Sequence, residues 1–456
     1  MDIQIDSRLV RKGDVFVGIT CNALKAHLAE AIANGARIVF AEGCDVDDPA
    51  IITVSDARLT ASILAKIRYP RQPECCVAVT GTQGKSSVVH FLRQIWAKSE
   101  RKAASLGTVG LFTDATECIN PPDLQLPNLT TPDPVTIHRV LEYLDSTGVT
   151  HLAFEASSHG IQQKRLHSVT LAAAAFTNFA SDHLDYHKTR EAYLKAKLAL
   201  FREILPDDGV IVSSCDDPTL YDELASIGKK MVTFGLAPEN TVRAENVRVF
   251  PRHITCDILL GERRFSDVSV NLVGKLQISN ILCAAALAYA CGMEPEDIAE
   301  ALPSVTTLEG RMEYITTKNG GDIYVDYAHT TDSFKCALSD FRSICKGRLI
   351  CVFGCGGDRD ETKRQQIGAL ASERADVVII TDDNPRSEDP ARIRQCIMSA
   401  CPGAIEIGDR KEAIQYAVRS IEPGDVVVIL GKGHEHYQIC GAATHRFSDR
   451  EVVLSC

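Results

Sequence analysis

The chain has 456 residues, 45% apolar and 24% charged, with a formal net charge of −11, the balance of an ordinary globular protein of about three domains. That negative charge excludes a nucleic-acid binder held by its overall field, so any polyanionic ligand must be held by local clusters of cations. Seventeen cysteines scattered through so long a chain, many inside apolar runs (Cys75, Cys76, Cys283, Cys351), read as reduced, buried thiols rather than a disulfide framework or a zinc site.

The start, Met1-Asp2-Ile3-Gln4-Ile5-Asp6, has neither a basic nor an apolar leader region, and no window approaches the length of a membrane span. The expectation is a cytoplasmic protein with no membrane insertion. Residues 1–70 read as a small α/β domain, with Val15-Phe16-Val17-Gly18-Ile19 and Arg37-Ile38-Val39-Phe40 as strands around a helix over 28–33. Two prolines in Tyr69-Pro70-Arg71-Gln72-Pro73 mark a linker. Residues 71–309 alternate strands (75–80, 151–155, 171–179, 209–213, 231–234) with helical stretches, which predicts a mostly parallel sheet covered by helices. The alternation restarts over 310–456, with strands at 323–326, 349–353, 377–381 and 426–430, and predicts a Rossmann-like doubly wound domain.

The strand at 75–80 breaks into Gly81-Thr82-Gln83-Gly84-Lys85-Ser86-Ser87, after which Val88, Val89, Leu92, Ile95 and Trp96 fall at helical spacing. A glycine-rich turn between a buried strand and a helix N-terminus is phosphate-binding geometry. Backbone N–H groups close around the anion, Lys85 reaches the β- and γ-phosphates, and the Ser86 hydroxyl suits Mg²⁺. The usual first glycine of such a loop is Val79, so the motif is a variant. Glu155 ends the next strand and reads either as a Mg²⁺ ligand or as the N-cap of the helix after it. His183 and His187 stand four apart and read as a metal pair or a capped loop.

Several further motifs complete a pattern: Glu155-Ala156-Ser157-Ser158-His159-Gly160, Phe176-Thr177-Asn178, Asp182-His183-Leu184-Asp185-Tyr186-His187, Gly310-Arg311-Met312-Glu313, Asp326-Tyr327-Ala328-His329-Thr330 and Gly356-Gly357-Asp358-Arg359-Asp360. Together with the glycine-rich loop, and in this order, they resemble the Mur ligases of peptidoglycan synthesis. Asp382-Asp383-Asn384-Pro385-Arg386 and Gly431-Lys432-Gly433-His434-Glu435 are similar to the branch that adds diaminopimelate.

The resemblance implies an ATP-dependent amide ligase with an N-terminal UDP-binding, a central ATP-binding and a C-terminal amino-acid-binding domain, working as a monomer. ATP phosphorylates the terminal carboxylate of UDP-N-acetylmuramoyl-L-alanyl-D-glutamate, and the amine of meso-diaminopimelate attacks the acyl phosphate. It also implies two Mg²⁺ sites, held by Ser86, Glu155, His183 and a carbamate formed on Lys197, although spacing alone reads Lys197 as a helix-surface lysine. By the same likeness Asn280, Arg311 and Asp326 serve the nucleotide, and Ser7, Thr130, Thr131, Ser157, Gln163 and Arg165 the UDP-sugar peptide. Arg359, Asp383, Asn384, Pro385, Arg386, Gly431 and Glu435 serve the acceptor, with Arg386 reading its second carboxylate and Glu435 facing an ammonium.

Cys21-Asn22-Ala23-Leu24-Lys25-Ala26 and Leu129 depart from the family pattern on the UDP side, where the N-terminal domain is expected to be trimmed. A lysine-adding relative would have little use for Arg386. Folylpolyglutamate synthase-type and cyanophycin synthetase-type ligases share the loop and the carboxylate activation, and Asp6-Ser7-Arg8 and Asp383-Asn384-Pro385-Arg386 stand against them. A non-catalytic nucleotide-binding module is the reading from another class; Lys85, Glu155, His183, Lys197, Arg311 and Asp326, all present, argue for catalysis.

Overall fold

The computed structural model of the chain describes residues 1–19, 23–43, 48–113, 118–122, 124–127, 129–180 and 184–456. Two compact units divide it: Met1–Phe179 with His183–Val242 and Cys283–Ile298 form the first, and Arg243–Leu282 with Ala299–Cys456 the bulk of the second.

The first unit opens with four parallel strands, Ile3–Gln4, Val15–Gly18, Ile38–Glu42 and Ile51–Val54, paired in chain order. The second and third are the strands expected from the sequence. Ile51–Val54 is partly solvated along its length, so its apolar residues show no inward face to periodicity. Helix Ala57–Arg68 packs on this sheet through Ala57, Ala61 and Ala65, all fully buried. Small residues four apart let its backbone lie close, and Asp56 caps it by accepting from the Leu59 N–H at 2.8 Å.

The main sheet of this unit runs Met231–Gly235, Val210–Ser213, Ala173–Phe176, Cys75–Thr80, His151–Glu155, Ala103–Gly107, Gly110–Phe112, Cys118–Ile119. The first six strands are parallel and the last two antiparallel. Val77, Ala78 and Val79 have no exposed surface, because a parallel strand is covered on both faces and reads as one apolar run. The strand expected over 171–179 is only Ala173–Phe176. Thr177 leaves the ladder and donates its hydroxyl to the Gln83 carbonyl at 2.6 Å.

In the second unit, Ile254–Leu260 and Arg263–Val270 form an antiparallel hairpin that the apolar runs do not announce. Its main sheet runs Glu313–Lys318, Gly321–Asp326, Val426–Leu430, Leu349–Phe353, Val377–Ile380, Ile405–Glu406, parallel except for the first. Val426–Leu430, last of these in the chain, is central in space and buried throughout. One face of the sheet packs Tyr324, Phe334, Phe341 and Phe353, and the other Ile323, Val352, Ile379 and Ile429. The carboxyl ends of the parallel strands therefore gather Asp326, Gly354, Thr381 and Gly431 along one edge, where open α/β sheets bind ligands. No helix among the described residues is long and apolar enough to cross a membrane.

Candidate active site

In the first unit, strand Cys75–Thr80 runs through the glycine-rich loop into helix Lys85–Lys98. Gly84 is the N-cap, left-handed at φ 85°, and no side chain caps that end, so the first helical N–H groups are oriented for an anion. Gly81 has to be glycine: a Cβ there would lie 1.9 Å from Thr177 Oγ1. The loop is stapled by Asn178, whose backbone carbonyl accepts from Thr82 N at 2.9 Å and whose Oδ1 accepts from Gln83 N at 3.0 Å. Lys85 Nζ donates to the carbonyls of Gly81 and Thr82, each at 3.0 Å. Ser86 and Ser87 are buried in the first turn.

Glu155, 1% exposed, accepts from Thr108 N at 2.8 Å and from Thr108 Oγ1 at 3.3 Å. It caps nothing. The helix after it, Ser158–Gln162, is capped by Ser157, which accepts from Gly160 N at 3.1 Å. A Cβ on Gly107 would overlap Glu155 Oε1 at 2.0 Å, so glycine there makes room for the carboxylate.

Five residues expected to meet the UDP-sugar peptide converge beside Glu155. Thr131 Oγ1 donates to the Glu155 carbonyl at 2.8 Å and accepts from Ser157 N at 2.9 Å. Arg165 donates to the Thr131 carbonyl and, at 2.7 Å, to Gln163 Oε1. Thr130 Oγ1 joins them 3.0 Å from Thr108 Oγ1. Ser7 is buried in the N-terminal sheet region and donates to Glu30 Oε2 at 2.5 Å.

Lys197 is not a surface lysine. It is 1% exposed, because helix Arg190–Ala199 turns it onto the loop, where Nζ donates to the Gly81 carbonyl at 2.7 Å and lies 4.5 Å from the centre of the Tyr193 ring. His183 lies outside the described residues. His187 is buried against Tyr193 and His159, with Nε2 2.9 Å from Ser158 Oγ.

The second unit holds the remaining predicted residues. Asn280 Nδ2 donates to Gln277 Oε1 at 2.9 Å, and Gln277 Nε2 to the Arg311 carbonyl at 3.3 Å. The Arg311 guanidinium lies 4.3 Å from the centre of the Tyr327 ring, and its Nε is buried with no hydrogen-bond partner among the described residues. Asp326 accepts from Met312 N at 2.7 Å and Ala328 N at 2.8 Å. Burial pushes its carboxyl up, against the pull of Arg311 and of those N–H groups.

Gly310 packs so tightly on Gly433 and His434 that a Cβ would lie 2.2 Å from them, which joins the Arg311 turn to the loop after Val426–Leu430. In that loop Glu435 Oε2 accepts from Asn384 Nδ2 at 2.8 Å. Gly431, at φ 113°, leaves no room for a Cβ beside Asp383 Oδ2. Arg386 is a non-glycine residue at φ 51°, a conformation held only where its surroundings enforce it. Its N–H donates to the Ile439 carbonyl at 3.1 Å, its carbonyl accepts from Gly441 N at 2.7 Å, and Nη1 donates to the Gly357 carbonyl at 2.7 Å. Arg359 is exposed nearby, its Cγ and Arg386 Nη1 both within 4 Å of a Cβ placed on Gly356. Pro385 is buried between Asn384 and Arg386.

Two family models match this chain, the Mur ligase middle domain over residues 79–288 and the Mur ligase, glutamate ligase domain over residues 310–433. A relative from Agrobacterium fabrum (strain C58), named UDP-N-acetylmuramoyl-L-alanyl-D-glutamate--2,6-diaminopimelate ligase, is 42% identical over 99% of this chain and 92% of its own. One of the same name from Rhizobium meliloti (strain 1021) is 43% identical over 99% and 93%. The chain belongs to the Mur ligase family. A solved structure of a ligase of that name superimposes with a TM-score of 0.71 at 30% identity, covering 100% of this chain and 94% of the other. The MurF ligase of Thermotoga maritima, solved with ADP, shares the fold at a TM-score of 0.67 and 19% identity, over 100% and 96%.

The donors this Mur ligase gathers at its loop suit a hard dication. Ser86 offers a buried hydroxyl and Glu155 a buried carboxylate, while Thr80 Oγ1 is buried with no hydrogen-bond partner among the described residues. Thr177, Asn178 and Tyr327 sit inside the sequence motifs with no role evident from sequence; in this Mur ligase the first two brace the loop and the third supports Arg311. Thr108, which fixes Glu155, is missed altogether. Its only signal is its place one residue past the strand Ala103–Gly107.

Proposed function

We propose that this Mur ligase joins meso-2,6-diaminopimelate to UDP-N-acetylmuramoyl-L-alanyl-D-glutamate with conversion of ATP to ADP and phosphate, acting as a monomer in the cytoplasm. The observation that carries the reading is the fixed left-handed Arg386 at the strand-end edge beside the Asn384–Glu435 pair. A guanidinium fork there matches the one group, a second carboxylate, that separates diaminopimelate from lysine.

The glycine-rich loop and Lys85 hold the triphosphate, with Asn280, Arg311 and Asp326 serving the nucleotide. Thr130, Thr131, Ser157, Gln163 and Arg165 hold the peptide end of the UDP substrate, and Ser7 its uridine side. A carboxylate oxygen of the substrate attacks the γ-phosphorus and ADP leaves. The acceptor amine then attacks the carbonyl carbon of the acyl phosphate, and the tetrahedral intermediate loses phosphate and a proton to give the amide. Two like charges 4 Å apart repel by about 4 kcal/mol at an effective dielectric of 20, so cations must stand where carboxylate and triphosphate meet. Mg²⁺, held at Ser86, Glu155 and His183 with Lys197 as its carbamate, supplies that neutralisation when bound. Arg386 takes the acceptor's second carboxylate, with Arg359 and Asp383 beside it, and Glu435 takes an ammonium.

Phosphate release from ATP with the UDP-muramoyl dipeptide tests this. Release with meso-diaminopimelate and little with L-lysine is expected. Equal release with both would remove the specificity, and release with neither would remove the ligase reading.

A further inference from the structure

Lys432 has no exposed surface, and its Nζ donates to Asn384 Oδ1 at 3.0 Å and to Glu435 Oε2 at 3.2 Å. A buried ammonium is costly unless it is paired, and an apolar side chain in its place is often no less stable, so stability alone gives little reason for one here. Its effect is on orientation. Asn384 Oδ1 also accepts from Ile439 N at 3.0 Å, while Nδ2 donates to Glu435 Oε2. Turning that amide over would set its NH₂ against an ammonium and a backbone N–H, and its oxygen against a carboxylate. Glu435 is held through Oε2 from two sides, and Oε1 has no hydrogen bond among the described residues.

We propose that Lys432 is a positioning residue for the amino-acid acceptor: its ammonium locks the Asn384 amide and pins one oxygen of Glu435, so that Oε1 faces the acceptor's ammonium. This rests on the diaminopimelate-adding reading. Lys432 does not touch the acceptor and acts through the two side chains it holds. Glycine on either side lets the chain turn the lysine inward: Gly431 is at φ 113° and Gly433 at φ 53°.

The test is steady-state kinetics of the wild type, Lys432→Met and Lys432→Gln, varying ATP, the UDP-muramoyl dipeptide and meso-diaminopimelate in turn. In Lys432→Met the KM for diaminopimelate should rise about 10- to 100-fold, the cost of removing a supporting partner behind a ligand-contacting side chain in metal sites. The other two KM values and kcat should hold. Lys432→Gln, which keeps a donor for Asn384 Oδ1, should show a smaller rise, and it carries the test if the Met variant does not fold. A merely structural lysine would lower kcat with the folded fraction and leave the acceptor KM unchanged, and that result overturns the proposal. Turnover by the wild type with unchanged acceptor KM in the variants sinks Lys432 alone. A wild type silent with diaminopimelate sinks the functional reading and this inference with it.

Discussion

Lys85 and Lys197 aim at one atom: their Nζ atoms lie 3.0 and 2.7 Å from the carbonyl oxygen of Gly81. Two ammonium groups converging on one carbonyl in a buried site repel each other. Carbamylation of Lys197 would replace one cation by an anion and turn that repulsion into attraction. Lys197→Ala should therefore lower kcat by about 10²- to 10³-fold, the range for losing one preorganised electrostatic group, and short carboxylates such as formate should restore part of it. Activity within a few-fold of wild type, or no response to bicarbonate in CO₂-depleted enzyme, would rule out the carbamate.

Arg386 is the residue proposed to separate diaminopimelate from lysine. Removing a charge-assisted, bidentate contact costs about 3 kcal/mol, or roughly 100-fold, so Arg386→Ala should lose that factor in kcat/KM for diaminopimelate while lysine turnover stays as low as before. Arg386→Lys should not rescue it, because a point charge cannot reproduce the fork. Acceptor competition assays measure both, and equal losses with the two amino acids would place the selectivity elsewhere.

His138, on helix Pro134–Ser146, is 1% exposed with Nε2 unpartnered among the described residues. Burial, helped by Lys66, pushes it down to about 4. An unfolded histidine titrates near 6.5, so below that pH the unfolded chain takes up a proton that the folded one refuses. The contribution is complete above about pH 6.5 and is lost as pH falls toward 4, the loss reaching about 2 kcal/mol at pH 5. Urea denaturation at pH 7 and pH 5 should show a fall in stability that is smaller by about that amount in His138→Leu. An identical pH dependence in the variant would mean that His138 does not cause it.

Arg410 and Asp449 form a fully buried pair, with Nε and Nη2 each 2.7 Å from a carboxylate oxygen, and Nη2 also reaches the Leu430 carbonyl at 3.1 Å. Arg410→Met should cost about 3–5 kcal/mol because it strands the carboxylate, whereas Arg410→Met with Asp449→Leu should recover most of that. Thermal unfolding decides it: a double variant as unstable as the single one would put the cost on packing rather than on the unpaired charge.

The strand–turn–helix around Lys85 is legible because a strand covered on both faces reads as an unbroken apolar run and the glycines punctuate its end. The residues proposed for the acceptor are legible only through family likeness, since nothing in the spacing of Asp383, Asn384, Arg386 and Glu435 says that two loops from different strands meet. Lys197 shows the limit most clearly. Its helix is marked by ordinary periodicity, yet which face is buried depends on the loop that packs against it, and that loop is more than a hundred residues away.

By itself, the order of apolar runs and glycines determined the α/β class and the strand–turn–helix around Lys85, and the quoted motifs carried the resemblance to the Mur ligases, because all of these are local patterns. Tertiary structure decided that Glu155 is braced by Thr108 instead of capping a helix, that Lys197 turns inward onto Gly81, and that Lys432 stands behind Asn384 and Glu435. Each of these depends on which strand ends lie side by side, and that follows from sheet order, which a one-dimensional pattern does not carry.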